Sequence, residues 1–342
     1  MNKRNSGPRK PIWKRKSLWI LLFFVAFVYV NNSSLLEGPS GREPFLLAHR
    51  GMAQTFHMEG ITNETCTAER IYPPEHPFLE NTIPSMQAAF DAGADIVELD
   101  VQPTKDGKFA VFHDWTLGCR TNGEGVTRDF SLAELQKLDV GYNYTPDGGA
   151  TYPFRGKGIG LMPSLDEVFS QFPAQPFLIH VKSNDPSEGV MLADYLQKLP
   201  AERLASLTVY GGDEPIATLH EKLPQMRVMS MATLKSCLIP YIAVGWSGYV
   251  PNACSHTQLH IPDKIAPLLW GWPNRFMERM DAQDTRVILV AGSGDVSSGF
   301  DTLEDLQRIP DGFSGGIWTN RIDRIAAAYK HGESSYFVPK SE

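Results

Sequence analysis

The sequence predicts an α/β fold, a TIM (β/α)8 barrel with an N-terminal membrane-anchor helix, and three observations support this prediction. Short apolar segments typical of β-strands alternate with helical or loop segments between residues 45 and 330, as in parallel sheets. The chain has 342 residues, 42% of them hydrophobic, and barrels of about 250 residues are common as single domains. An unbroken apolar run, Leu18 to Val30, directly follows a basic segment.

The N-terminal segment, residues 1–17, carries seven basic side chains and no acidic residue among its first 16 positions. The apolar run at 18–30 is shorter than the roughly 20 residues of a typical spanning helix and matches a signal-peptide core in length. Because residues 29–34 offer no small-x-small cleavage site, we expect an uncleaved signal anchor; a cleaved signal peptide is the alternative. The positive-inside rule then places residues 1–17 in the cytoplasm and the rest of the chain on the periplasmic or extracytoplasmic side.

The remaining division is a linker at 31–44, the barrel at 45–330 and a polar tail at 331–342. Without the seven basic residues of the first segment, the formal charge changes from −7 to −14, because 25 basic residues face 39 acidic ones. Binding to a phosphate backbone needs a basic face, so this charge argues against nucleic acid as a partner. A small anionic phosphodiester can still be held by local cations and a metal.

Strand-like segments begin after the linker, and their number is compatible with an eightfold barrel: 46–48, 95–101, 109–112, 177–181, 207–210, 227–230, 259–262, 287–290 and 316–319. Capping residues mark the starts of helices between them. Thr82 precedes Pro84, which suits the first turn of a helix. Two further starts carry the capping-box pattern, Ser131 with Glu134 and Ser164 with Glu167.

Two carboxylates share one face of the second strand. Residues alternate in direction along a strand, so Val97, Leu99 and Val101 point one way and Glu98 and Asp100 the other. Two carboxylates this close cannot both ionise at low cost without a cation between them, and hard divalent ions prefer oxygen ligands. The pattern therefore favours a metal site over a solvated acidic strand.

Two other strand-like segments end in a histidine followed by a charged residue, His49 with Arg50 and His113 with Asp114. A single histidine at a strand end is more often structural, but two in matching positions predict a general acid and a general base. Arg50 offers a fork of donors that suits a phosphate, and Lys182 offers a second, compact positive charge. Together these residues point to cleavage of a phosphodiester.

These motifs, in this order, resemble those of the glycerophosphodiester phosphodiesterase family from about residue 45 to about residue 325. The most specific stretch lies between Glu80 and Gly125, where the chain reads ENTIPSMQAAFDAGADIVELDVQPTKDGKFAVFHD and then CRTNGEG. The resemblance implies an enzyme that uses one divalent metal, calcium or magnesium, and releases an alcohol and glycerol 3-phosphate. It also implies a role for each motif: His49 and His113 as acid and base, Glu98 and Asp100 as metal ligands, Arg50 and Lys182 on the phosphate, and Glu80 as a ligand or directly behind one.

One departure from the family pattern lies on the fourth strand. The family usually has Glu-x-Lys there, and its glutamate completes the metal site, whereas this chain reads His180-Val181-Lys182. A nitrogen ligand suits zinc, manganese or cobalt better than calcium, so a transition ion becomes a candidate beside calcium and magnesium. Because His180 shares strand parity with Lys182, we expect it to ligate the metal; the alternative is that it ligates nothing.

A second departure is the connection between Gly51 and Glu80, which is longer than is common in the family. In a barrel, this connection lies over the mouth of the active site, where it can select the leaving group. It contains Cys66, and Cys119 lies in a loop on the same face, so we expect these two to pair. Cys237 and Cys254 then form the second disulfide in a chain expected to be exported. Four buried free thiols are the alternative.

Three functions are compatible with these motifs. The first is a metal-dependent phosphodiesterase that hydrolyses glycerophosphodiesters with His113 as base and His49 as acid. The second is a phospholipase D-like enzyme on lysophospholipids or sphingolipids, for which the membrane would be close at hand. The third is a catalytically silent barrel that binds a phosphate ester. The presence of both histidines, the acidic pair and Lys182 favours an enzyme.

Overall fold

The structure is a computed structural model that describes residues 12–33, 43–62, 65–292 and 298–330. Most of the predicted basic segment (residues 1–11), most of the predicted linker (34–42) and the predicted tail (331–342) lie outside the described residues. Statements about the fold below concern the described part of the chain.

The strands in the described residues are β1 (Phe45–Ala48), β2 (Ile96–Pro103), β3 (Phe109–Val111), β4 (Phe177–Val181), β5 (Leu207–Gly211), β6 (Arg227–Met229), β7 (Gln258–Pro262), β8 (Arg286–Val290) and β9 (Gly316–Thr319). All except β3 are parallel, in the order β6-β5-β4-β2-β1-β9-β8-β7. A parallel bridge between Val228 and Thr257 joins β6 to β7, so the two edges of the sheet meet. The fold is therefore a nearly closed barrel of the TIM type, as the alternation of segments predicts.

β3 corrects the predicted set of barrel strands. The sequence pattern includes 109–112 among the candidates for the barrel, but β3 pairs antiparallel with the end of β2, with Val101 opposite Val111. β2 has eight residues, and it pairs with β4 through residues 97–101 and with β3 through residues 101–103. The last residues of β2 thus pair with β3 at the rim, so β3 is not one of the parallel strands of the barrel.

The helices in the described residues are α1 (Ile12–Asn32), α2 (Ile83–Ala92), α3 (Leu132–Leu135), α4 (Leu165–Gln171), α5 (Pro186–Leu196), α6 (Ala201–Ala205), α7 (Asp213–Lys222), α8 (Met231–Val244), α9 (Asn274–Asp281), α10 (Leu303–Leu306) and α11 (Ile322–Lys330). The predicted caps are present. The Thr82 side chain accepts from the Ser85 N–H, and Pro84 lies in the first turn of α2. Ser131 and Ser164 form capping boxes at the starts of α3 and α4.

Apolar side chains fill both the inside of the barrel and the layer between strands and helices. Leu47, Leu178 and Trp318 belong to the inner cluster. Their strand neighbours Leu46 and Ile179 face outward and pack in the larger cluster with the helices. Burial of each large apolar side chain stabilises the fold by roughly 1.5–3 kcal/mol.

Helix α1 contains the predicted anchor at 18–30. Its last turn contacts the barrel, because the Asn32 amide donates to the Trp246 carbonyl over 2.8 Å and Arg279 donates to the Asn31 carbonyl over 2.8 Å. The prediction of a membrane-spanning anchor is not supported, since no helix in the described part of the chain is both long and apolar enough to cross a membrane. The apolar run of α1 is bounded by Ser17 on one side and Asn31 on the other.

Two disulfides join segments that are distant in the sequence. Cys66 pairs with Cys119 and Cys237 pairs with Cys254, with Cα atoms 5.5 and 4.6 Å apart. These are the pairs expected from the sequence. The first disulfide fastens the long connection between β1 and α2 to the loop that follows β3.

Candidate active site

The predicted site residues converge at the carboxyl-terminal rim of the barrel. Glu98 and Asp100 lie on β2 and His180 lies on β4, while His49, His113 and Lys182 follow β1, β3 and β4 within two residues of the strand end. Parallel strands bring all their carboxyl ends to one rim, where barrel enzymes place their chemistry. Glu98 and Asp100 are completely buried and His49 is nearly so, whereas His113, His180 and Lys182 are partly exposed.

Glu98, Asp100 and His180 form a cluster that can hold a metal ion, with potential ligand atoms all within 4.8 Å of one another. His180 Nδ1 lies 2.9 Å from Asp100 Oδ1 and 3.8 Å from Glu98 Oε1. Burial lowers the pKa of His180 to about 4, with Lys182 adding to the effect, so the imidazole is neutral at pH 7 and able to ligate. This donor set of two carboxylates and one imidazole fits a divalent ion.

The electrostatics of the two carboxylates also fit a cation. Burial raises the pKa of Glu98 to about 8, and the charge of Asp100 adds to the increase. Burial acts on Asp100 in the same direction, but Lys182, His113 and Arg50 hold its pKa well below its usual range. The cluster thus has one carboxylate that is readily charged and a second that needs a further positive charge nearby.

Two side chains hold the cluster in position. The Asn81 amide donates to Asp100 Oδ2 over 2.8 Å, and Asn81 Oδ1 accepts from the Asp100 N–H over 3.0 Å. The Tyr210 hydroxyl donates to Glu98 Oε1 over 2.7 Å, and its ring stacks on His180 with centroids 4.1 Å apart and planes 15° apart. Such supporting contacts fix the orientation of metal ligands.

The backbone near the site adopts left-handed conformations at two residues other than glycine, Arg50 with φ of 59° and Asn81 with φ of 58°. The Asn81 N–H donates to the Arg50 carbonyl over 3.0 Å and links the two turns. Gly51 follows with φ of 78°, and a Cβ atom there would lie 2.6 Å from the Ser85 hydroxyl. Glycine is therefore required at the turn that positions Arg50.

Glu80 is not part of the three-residue cluster. Its carboxylate accepts from Arg50 Nη1 over 3.0 Å and from Arg120 Nη2 over 3.3 Å. Although burial favours the neutral acid, Arg120 and Arg50 lower the pKa of Glu80 below its usual range. Its contacts are thus with two arginines, and a role as a metal ligand or as a residue directly behind one stays a prediction.

His113 is held by charged groups on both ring nitrogens. Its Nδ1 lies 2.6 Å from Asp114 Oδ1, and its Nε2 lies 2.9 Å from Lys182 Nζ. Because an ammonium group only donates, Nε2 carries the lone pair and Nδ1–H donates to Asp114. Burial, followed by the charge of Arg50, lowers the pKa of His113. The imidazole is therefore neutral, with an acceptor nitrogen directed to the site.

His49 is held by a neutral amide instead. Its Nδ1 donates to Asn320 Oδ1 over 2.6 Å, and the Asn320 amide in turn donates to Asp301 Oδ2 over 2.8 Å. Its Nε2 lies 3.9 Å from Glu98 Oε2. Burial, with the charge of Arg50, places the pKa of His49 well below its usual range. The two histidines thus face the cluster through Nε2 but have different partners at Nδ1.

Sequence reasoning missed four residues that hold the site: Tyr210, Asn320, Asp301 and Arg120. Asn320 directly follows β9, the position that His49 occupies after β1, so a search for polar residues at strand ends would have found it. Tyr210 lies in β5 with its polar tip at the rim. Arg120 lies within the CRTNGEG stretch, where it pairs with Asp114. No local pattern indicates Asp301.

The sequence model of the glycerophosphoryl diester phosphodiesterase family matches residues 49–226, which is more than half of the chain. The chain belongs to this family.

Curated relatives cover part of the chain. A glycerophosphodiester phosphodiesterase of Caldanaerobacter subterraneus subsp. tengcongensis is 43% identical over 103 residues, 30% of this chain and 39% of that protein. The glycerophosphodiester phosphodiesterase of Bacillus subtilis is 40% identical over 178 residues, 51% of each. The lysophospholipase D GDPD1 of Mus musculus is 32% identical over 186 residues, 53% of this chain and 52% of that protein. The chain spans about half or less of the length of these relatives.

Solved structures resemble the whole barrel. A glycerophosphodiester phosphodiesterase from Agrobacterium tumefaciens gives a TM-score of 0.54 at 22% identity, over 84% of this chain and 100% of that one. An Oleispira antarctica phosphodiesterase in complex with the product sn-glycerol-3-phosphate gives a TM-score of 0.52 at 17% identity, over 84% of this chain and 97% of that one. At these identities, the resemblance shows a shared fold.

Proposed function

We propose that this protein is a metal-dependent phosphodiesterase that hydrolyses glycerophosphodiesters to an alcohol and glycerol 3-phosphate. The observation that carries the proposal is the position of two histidines and two cations around one carboxylate pair. Lys182 Nζ is 3.7 Å from Asp100 Oδ1, and Arg50 Nε is 3.3 Å from Asp100 Oδ2. The names of the relatives from Caldanaerobacter and Bacillus support the same reaction.

A divalent metal held by Glu98, Asp100 and His180 would neutralise charge on the phosphate oxygens. The chain adds its own positive charges at that place. The guanidinium of Arg50 and the ammonium of Lys182 are largely shielded from solvent, with side chains only 12% and 15% exposed. Fixed charges in such surroundings stabilise the negative charge that grows in a phosphoryl-transfer transition state. The imidazole ligand favours zinc, manganese or cobalt over calcium.

His113 acts as the general base in this proposal. Asp114 accepts from its Nδ1–H, so Nε2 carries the lone pair that takes a proton from the attacking group, water or the glycerol hydroxyl. Lys182 contacts the same Nε2 and can turn to a phosphate oxygen when substrate binds.

His49 acts as the general acid. Asn320 holds Nδ1, so Nε2 is the nitrogen that faces the site. An anionic phosphodiester beside Nε2 favours the imidazolium form, which can protonate the departing alcohol oxygen.

The test is release of glycerol 3-phosphate from glycerophosphocholine by the full chain, stripped of metal and resupplied with calcium, magnesium, manganese, zinc or cobalt in parallel. We expect no turnover without metal and the highest turnover with a transition ion. Highest turnover with calcium or magnesium would argue against ligation by His180. Full turnover in a chelator would contradict the metal dependence.

A second candidate is a phospholipase D-like activity on lysophospholipids or sphingolipids. The relative named lysophospholipase D GDPD1 supports it. Turnover of lysophosphatidylcholine and sphingosylphosphocholine, measured beside that of glycerophosphocholine, distinguishes the two activities.

A catalytically silent barrel is the weaker alternative, because every residue that the proposed mechanism needs is present. Ligand binding without product under all five metals would favour it.

We also propose that the barrel works outside the cytoplasm. The support is the pairing of all four cysteines in disulfides, which persist in oxidising compartments. Labelling of intact cells with an impermeant protease or amine reagent tests this location. Protection of the barrel in cells whose outer membrane, where one is present, has been opened, with protection lost on full lysis, would contradict it.

A further inference from the structure

A cavity of about 670 Å³ opens beside His49 and Arg50. One of its walls comes from the long connection between β1 and α2, and the opposite wall comes from the segment after β9 and from residues 301–302. Of the proposed acid and base, His49 lines this cavity, whereas His113 lines a small separate pocket behind Glu80. The cavity is therefore on the side of the proposed general acid.

The wall formed by the long connection is largely apolar, and we call it the apolar wall: Phe56, Met58, Tyr72, Pro73 and Pro74. Met58 and Tyr72 are 43% and 44% exposed. Large apolar side chains that remain exposed next to polar, reactive residues are typical of binding sites.

The apolar wall is built into the structure. Phe56 and Ile71 form an antiparallel bridge, and the Tyr72 N–H donates to the Thr55 carbonyl over 2.9 Å. The Gln54 amide donates to the Phe78 carbonyl over 2.7 Å. The disulfide at Cys66 ties the same connection to the loop after β3. A preformed wall loses little conformational entropy when a ligand binds.

The opposite wall carries charges that are compensated. Glu75 accepts from Arg321 over 2.6 Å and from Arg324 over 2.6 and 2.7 Å, and Arg321 also pairs with Asp323 over 2.7 Å. These two arginines and two carboxylates cancel in formal charge. Asp301 accepts from Asn320 and Thr319, and burial raises its pKa. Apart from Asp301, whose partners are uncharged, the walls thus offer no uncompensated charge that would select a cation or an anion.

We infer that this cavity binds the alcohol half of the diester and selects an alcohol with a hydrocarbon body larger than choline. The inference rests on the proposed function, in which His49 protonates the departing alcohol. The alcohol then leaves into the cavity that His49 lines. Its volume of about 670 Å³ falls within the range of about 300–1,000 Å³ for sites of drug-sized ligands, and the apolar wall gives the larger alcohol a surface to cover.

The test uses three diesters of sn-glycerol 3-phosphate, with ethanol, hexanol and choline as the alcohols. Because each buried methylene adds to transition-state binding, kcat/KM for the hexyl diester is expected to exceed that for the ethyl diester by about tenfold or more. It is also expected to exceed that for the choline diester. Equal values for hexyl and ethyl diesters, or the highest value for choline, would overturn the inference.

Variants locate the effect on the apolar wall. Tyr72→Ala and Met58→Ala are each expected to lower the hexyl-to-ethyl ratio about threefold or more, whereas Tyr72→Phe preserves the apolar face and the ratio. Ile159→Ala, at an apolar residue that is 63% exposed and outside the cavity lining, is the matched control and is expected to keep the ratio. Unchanged ratios in both alanine variants would overturn the assignment of the wall.

A binding measurement separates this inference from the proposed function. Phosphonate analogues of the ethyl and hexyl diesters, which cannot be hydrolysed, are titrated calorimetrically into the metal-loaded full chain. Tighter binding of the hexyl analogue without turnover of any diester would contradict the proposed function and support the cavity assignment. Equal affinity for the two analogues would contradict the cavity assignment even if the diesters are hydrolysed.

Discussion

At the scale of single residues, the two histidines of the site differ in what holds them. His113 donates to a carboxylate, Asp114, while His49 donates to the neutral amide of Asn320. A carboxylate behind the ring favours proton uptake at Nε2, which suits the base. A neutral amide leaves the protonation of Nε2 to depend on the substrate, which suits the acid.

Replacement of either histidine tests this division of roles. His49→Ala and His113→Ala are each expected to lower kcat on glycerophosphocholine by about 100-fold or more, since general acid or base catalysis contributes roughly 10²–10⁴-fold. Metal content, measured by elemental analysis, is expected to stay unchanged because neither ring belongs to the cluster of Glu98, Asp100 and His180. His256→Ala, at an exposed histidine paired with Asp284, is the control. Near-normal kcat in both site variants would refute the assignment.

Tyr210 supports two members of the metal cluster at once. Tyr210→Phe removes the hydroxyl that donates to Glu98 and keeps the ring that stacks on His180. Loss of such a supporting hydrogen bond is expected to weaken metal binding about 10–100-fold, measured by calorimetric titration of the stripped protein. Tyr241→Phe removes a comparable buried hydroxyl, which contacts the Trp270 carbonyl, and is expected to leave metal affinity unchanged. Equal affinities for both variants would show that the hydroxyl of Tyr210 has no such role.

The chemical type of the third ligand is tested at position 180. His180→Glu exchanges a nitrogen donor for an oxygen donor on the same strand face of β4. The order of metal affinities is expected to shift from zinc or cobalt towards magnesium and calcium. Competition titrations with pairs of metals measure the shift, and His260→Gln, at another half-buried histidine of the barrel outside the cluster, serves as the control. An unchanged order of affinities in His180→Glu would mean that residue 180 ligates no metal.

At the scale of elements, the long connection between β1 and α2 is joined to the loop after β3 in two ways. The Cys66–Cys119 disulfide is one link, and the hydrogen bond from Arg120 to the Thr67 hydroxyl over 2.6 Å is the other. Arg120 also pairs with Asp114 and Glu80. The connection that forms the apolar wall is therefore linked to the partner of His113.

Removal of the two disulfides separately tests this link. Cys66→Ser with Cys119→Ser is expected to lower both stability, by about 2–5 kcal/mol, and kcat/KM on glycerophosphocholine. The Cys237–Cys254 disulfide joins segments outside the site. For Cys237→Ser with Cys254→Ser, we therefore expect a loss of stability with kcat/KM kept within about twofold. Urea unfolding and steady-state kinetics measure the two quantities. Loss of kcat/KM in both pairs alike would show a general effect on folding.

At the scale of the whole molecule, buried charges lie at the top of a barrel whose interior is apolar. Arg120 compensates Asp114 and Glu80, and its side chain is only 3% exposed. Burial alone would raise the pKa of both carboxyl groups, but the guanidinium of Arg120 lowers each below its usual range. The stability that these pairs contribute is present above about pH 4.3 and is lost as pH falls below the usual carboxyl pKa.

Arg120→Met tests how the fold depends on this compensation. The variant leaves two buried carboxylates without their shared partner, and the expected loss is about 3–5 kcal/mol at pH 7. Burial is then opposed mainly by Arg50 at Glu80 and by His113 at Asp114, so the pKa values of both carboxyl groups are expected to rise above those of the unfolded chain. The loss is therefore expected to be smaller at pH 5 than at pH 7, because protonation relieves the buried charge.

Urea unfolding of Arg120→Met at both pH values measures this difference. Arg155→Met, at an exposed arginine that stacks on Tyr152, is the control, with an expected change of about 0.5 kcal/mol or less. A loss in Arg120→Met that is the same at pH 5 and pH 7 would contradict the charge argument.

Much of the fold was predictable because it depends on local patterns. Alternation along 95–101 indicated that Glu98 and Asp100 share a face, and the capping residues indicated where α2, α3 and α4 begin. β3 was assigned wrongly because an apolar run of three or four residues has the same pattern whether its partner is parallel or antiparallel. Its partner is the end of β2, which no local pattern reveals.

The sequence by itself determined the order of strands and helices, the shared face of the carboxylate pair, and the identity of the residues that face the rim. These features follow from the periodicity of strands and from the residue types at their ends. The tertiary structure decided which of these residues meet: Glu80 with Arg50 and Arg120, Tyr210 with Glu98, and Asn320 with His49. Those pairs are between 30 and 271 positions apart in the chain. Their contacts arise only when the barrel closes, because closure brings the ends of distant strands to one rim.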